Sequence, residues 1–110
     1  MKISKEGILA QLGYNVNDNS IKQLENIEKN TSGFENIKKH IITLNDHLKH
    51  LQSYVAMSNS NPYFKIKIDT TKEEFVKEAK DIIQKWSNKY NVELQKVQNR
   101  ETYYIVGIKT

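Results

Sequence analysis

Cysteine is absent from this chain of 110 residues, and its absence removes several chemistries together. Without a thiol there is no disulfide framework, zinc–thiolate site, iron–sulfur cluster or thiol nucleophile. Glycine is scarce: the four residues at 7, 13, 33 and 107 form neither a GxGxxG turn nor a P-loop. No GxSxG or HExxH pattern occurs, and no serine and histidine are ordered as a nucleophile with its base. Glu73 and Glu74 adjoin at a helix start, where acids favour the helix dipole and need no acid–base role. The expectation is a protein without catalytic residues, cofactor or enzymatic activity. Long apolar runs are also missing, and Met1-Lys2-Ile3-Ser4-Lys5-Glu6 turns polar too early for a secretory signal, so a cytoplasmic location is expected.

Arginine is nearly absent as well. The basic residues are sixteen lysines and Arg100 alone, giving a net charge of +4 and a pI near 9.2. Such a balance suits an anionic partner. Yet Lys, Asn (12) and Ile (13) all have A/T-rich codons, so base composition alone accounts for much of it. Arginine is the residue for bidentate reading of guanine and for phosphate forks, and one arginine supplies little of either.

What is present divides near Ser58-Asn59-Ser60-Asn61-Pro62, which holds the only proline. Residues 1–61 read as helical, with seven basic and six acidic side chains, and residues 62–110 as mixed, with ten and seven. At this length the two segments form one domain, 1–110.

Ser4 is a suitable N-cap for a first helix to Leu12, with an Ile3–Ile8 staple, Gly13 past its end and Tyr14 closing on it. Ser20 and Gln23 form a capping box for a second helix with an Ile21, Leu24, Ile27 face, ended by Thr31-Ser32-Gly33. In the third, Phe34, Ile37, Ile41, Leu44, Leu48, Leu51 and Val55 are spaced 3, 4, 3, 4, 3, 4, a heptad stripe that predicts a helix from Phe34 to Met57.

The second segment reads β-α-β-β. Tyr63–Ile68 alternates, Phe64, Ile66 and Ile68 on one face and Tyr63, Lys65 and Lys67 on the other. A Thr71/Glu74 capping box opens an amphipathic helix to about Tyr90. Val92–Val97 and Thr102–Ile108 then form a hairpin turning near Asn99-Arg100. The last strand is apolar on both faces and belongs in the centre. A right-handed crossover then gives a three-stranded sheet of order 2-3-1, with Tyr104, Val106 and Ile108 toward the helix and Tyr103 and Ile105 on the other face beside Lys65 and Lys67. The fold class expected is α+β.

Two surfaces carry functional expectations. A 24-residue helix would span about 36 Å, more than an antiparallel second helix covers, which leaves Leu48, Leu51 and Val55 to meet the sheet, the first helix or another chain. On that reading the protein is an interaction or regulatory module, its partner another protein or itself as a homodimer. The alternative is nucleic-acid binding through Tyr63, Lys65, Lys67, Arg100 and Tyr103, aromatics among cations on a strand surface. The histidines, His40, His47 and His50, all fall on the third helix. Asp46 and His50 are four apart, but no third ligand motif accompanies them, so no metal site is expected.

Overall fold

The computed structural model describes Ile3 to Lys109. Three helices come first: α1 (Lys5–Gln11), α2 (Asp18–Asn30) and α3 (Phe34–Leu48), the last followed by a 3-10 turn, Lys49–Leu51. Strands β1 (Ser53–Met57) and β2 (Phe64–Ile68) precede α4 (Glu73–Tyr90), and β3 (Val92–Lys96) and β4 (Thr102–Ile108) complete the chain. The class is α+β, as expected. The sheet has four antiparallel strands in the order β1-β2-β4-β3 where three were expected. The three expected strands keep their relative order with β4 between β2 and β3, and β1 is added outside β2.

The fourth strand comes from the end of the long helix predicted to reach Met57. The α-helix stops at Leu48, tightens through the 3-10 turn, and reverses at Gln52, a non-glycine residue at φ 56° and ψ 35°. Ser53, Val55 and Met57 then point inward as alternate residues of a strand. Leu48, Leu51 and Val55, expected at the free end of a helix, are 0%, 1% and 2% exposed within one hydrophobic core. Their apolar surface is spent inside the chain, against the sheet and its own helices.

Polar side chains close the outer edge of β1. The Val55 N–H donates to Asn45 Oδ1 at 2.9 Å from α3, and the Met57 N–H donates to Tyr14 Oη at 2.8 Å. Edge strands expose unpaired backbone groups, and these two contacts satisfy two of the outward N–H groups internally.

Helix starts differ from expectation by up to a turn. Asn17, not Ser20, caps α2: the Ser20 N–H donates to Asn17 Oδ1 and the Asn17 N–H to Ser20 Oγ, at 2.9 and 3.0 Å. Gln23 is thereby freed, and its Nε2 donates to the Ser58 carbonyl at 3.1 Å, tying α2 to the β1–β2 loop. Lys72 occupies the cap position of α4 without a side-chain bond, while the Lys72 N–H donates to Thr70 Oγ1, so the Thr71/Glu74 box is not formed. The Trp86 indole N–H donates to the His40 carbonyl at 2.9 Å and fixes α4 against α3. At the far end of β4, Gly107 (φ 138°) lies so close to Ser32 that a Cβ there would sit 2.5 Å from its backbone nitrogen. The Ile108 N–H donates to the Ser32 carbonyl at 2.8 Å, seating the α2–α3 turn on the sheet.

No helix among the described residues is long and apolar enough to cross a membrane.

Candidate functional site

Directly paired residues of an antiparallel sheet share a face, so the register assigns the side chains. Val55, Ile66, Tyr103, Phe64, Ile105 and Leu94 fall on the face the helices cover. The opposite face carries two rows across the strands. One runs Tyr54–Lys67–Thr102, and the other Ala56–Lys65–Tyr104–Gln95. Tyr54, Tyr63, Tyr104 and Val106 make no part of the core cluster, and all four stand half-buried.

A concavity of about 600 Å³ lies on this open face. Its floor is Lys65 and Lys67 from β2 with Thr102 and Tyr104 from β4. The Ser58–Ser60 part of the β1–β2 loop stands at one end of the strands. At the opposite end the β3–β4 turn brings Arg100 and Glu101. Asn99 takes φ 64° in that turn, and the Arg100 N–H donates to the Val97 carbonyl at 3.3 Å.

Tyr104 is held from above. Asn61 Nδ2 donates to its Oη at 2.7 Å, and Ser60 Oγ lies 3.4 Å away. Hydrogen bonds from Ser60, then Asn61 and Ser58, hold the phenol below its ordinary value, and the Lys65 charge adds to them. An oxygen that accepts from Asn61 retains a proton of its own that it can donate. The Tyr63 and Tyr104 rings sit 6.2 Å apart at 46°.

Of the five residues expected to hold nucleic acid, Lys65, Lys67 and Arg100 meet in the concavity and Tyr63 borders Tyr104. Tyr103 does not join them. It pairs with Ile66, faces the helices beside Lys80 and Ile83, and burial pushes its phenol up. Tyr104, paired with Lys65, takes the place expected of Tyr103. The two faces of β4 are the reverse of those expected, and Ile108 returns to the helix side because the β3 partnering shifts register at Glu93/Leu94.

Few acids compete for these cations. Lys67 Nζ lies 4.0 Å from Asp69, and Glu101 lies 3.2 Å from Lys80 of α4. Lys65 and Arg100 form no ion pair among the described residues.

The histidines lie elsewhere. Asp46 pairs with Lys49 at 3.2 Å, and His50 Nε2 approaches Glu78 at 3.7 Å, so the two residues at metal-ligand spacing are turned to different partners. His40 stacks on Tyr90 with ring centres 3.7 Å apart, and burial, then Lys39 and Lys89, lowers its pKa.

Compared with known proteins, the chain matches no family model, no curated protein sequence and no solved structure.

Proposed function

We propose that this protein is a small non-enzymatic module of the cytoplasm that takes single-stranded nucleic acid on the open face of its sheet. One observation carries the reading: Lys65, Lys67, Arg100 and Tyr104, from two strands and a hairpin turn, line one concavity with few competing carboxylates. Ammonium and guanidinium groups hold phosphate, and the half-buried tyrosines of the face supply rings on which unpaired bases stack. A sheet face presents no helix to a major groove, and a single arginine offers little bidentate base reading. The expected binding is therefore to single strands, tolerant of sequence and sensitive to salt.

Leu48, Leu51 and Val55, expected to carry self-association, are buried in the chain's own core, which favours the strand-binding reading over it. The test is fluorescence anisotropy with a labelled oligonucleotide over a salt series. Wild-type affinity is expected to fall as salt rises, and Lys65→Glu/Lys67→Glu to abolish binding without loss of helical circular dichroism. A wild-type protein that binds no strand, or a variant that binds as well, overturns the reading.

A further inference from the structure

We infer that the concavity receives the terminal phosphate of a strand, a phosphomonoester, in preference to an internal phosphodiester. The inference rests on the strand-binding reading above and follows from where the charge is not. A protein that tracks a nucleic-acid backbone spaces its cations along the path. Here the cations of the open face are gathered in one place. Lys65 and Lys67 stand on the same side of β2, about 7 Å apart along the strand, and Arg100 reaches the same concavity from the turn. Beyond it the rows continue into Tyr54 and Ala56 on one side and Gln95 on the other, all uncharged.

So dense a set of donors matches a group that concentrates charge. An internal phosphate carries one negative charge. A terminal phosphate carries about 1.5 to 2 and presents three acceptor oxygens. The lining carboxylate, Glu101, is drawn toward Lys80, and Asp69 reaches Lys67 only at 4.0 Å, so positive charge stays in excess, with Lys65 and Arg100 outside any ion pair among the described residues. Tyr104, its oxygen already accepting from Asn61, adds a hydroxyl donor at the same floor. The Ser58–Ser60 loop and the Val97–Glu101 turn bound the concavity at the two ends of the strands. A strand whose end sits between them leaves across the sheet, over the flanking tyrosines.

The experiment compares three oligothymidylates of about ten nucleotides, labelled at an internal base: one with a 5′-phosphate, one with a 3′-phosphate, and one with hydroxyls at both ends. At least one phosphorylated strand is expected to bind about tenfold more tightly than the hydroxyl-ended strand, and the arm that gains identifies which end is read. In Lys67→Ala/Arg100→Ala the three affinities are expected to converge, with the circular dichroism spectrum unchanged. Equal affinities in the wild type overturn end recognition and leave strand binding standing. Absence of binding by any strand overturns both. A phosphate advantage that persists undiminished in the double variant overturns this placement of the site.

Discussion

The two faces of one sheet follow different rules, and β2 displays both in five residues. Phe64, Ile66 and Ile68 are sealed under the helices, while Lys65 and Lys67, between them in sequence, look out over the open face. On the inner face each side chain is fixed by its neighbours, and a change in one is felt by many. On the outer face the side chains are held mainly by their own strand, so chemistry there varies at little cost to the fold. The fold and the candidate site are thus nearly separable, although their residues alternate along the chain.

The sharpest way to break that contrast is to put charge on each face in turn. Ile66→Asp or Leu51→Glu is expected to unfold the chain, because an unpaired carboxylate in the core costs more than the roughly 5–15 kcal/mol of a typical domain can absorb alongside the lost packing. The far-ultraviolet circular dichroism should collapse. For Leu51→Glu, a folded monomer released from a dimer would instead mean that the stripe is an interface. Lys65→Ala should leave the urea midpoint almost unmoved, within about 0.5 kcal/mol.

The adjacent tyrosines of β4 sharpen the contrast further. Tyr104→Ala should weaken oligonucleotide binding by about 1–3 kcal/mol, the loss of one stacking platform, with a small change in melting temperature. Tyr103→Ala should do the opposite: lower the melting temperature and leave binding intact. Equal effects of the two on binding would dissolve the distinction between the faces.

A smaller effect is expected at the margin of the sheet. Asn45→Ala removes the acceptor for the Val55 N–H and should cost about 1–3 kcal/mol in denaturant unfolding, the price of one buried unpaired donor. The smallest effect concerns His40. Its folded pKa is lowered, so the unfolded chain binds the proton more readily. Its contribution to stability is then full above the unfolded value near 6.5 and is lost as pH falls through it toward the lower folded value. Urea midpoints at pH 7.5 and 5.5 should therefore differ less in His40→Asn than in the wild type.

Sequence patterns read the class, the three later strands and α1 with its Ser4 cap. They misread places where two periods coincide. Leu51 and Val55 are four apart, and four residues is close to one helical turn and also two full pleats of a strand. A heptad stripe therefore runs without a break from α3 into β1. The signal that ends the helix is the backbone of Gln52, at an angle its residue type does not advertise. In β4 the sets Tyr103/Ile105 and Tyr104/Val106 are equally apolar, so hydrophobicity alone gives no parity. The pairing of Lys65 with Tyr104 decides it, and that pairing is a tertiary fact. Lys65, Lys67 and Arg100 were legible as candidates from type and alternation. The loop residues Ser58, Ser60 and Asn61 were legible only as a turn, since the Tyr104 hydroxyl they surround lies more than forty positions along the chain.

The closed edge of β1 also limits how this molecule can join others. Strand addition needs a free edge, and with Asn45 and Tyr14 occupying two N–H groups of β1, β3 is the more open edge of the sheet. Two copies joined there would make a continuous sheet that ends in a covered β1 at both extremities. The side chains that complete β1 within the chain thus also oppose its pairing with another chain.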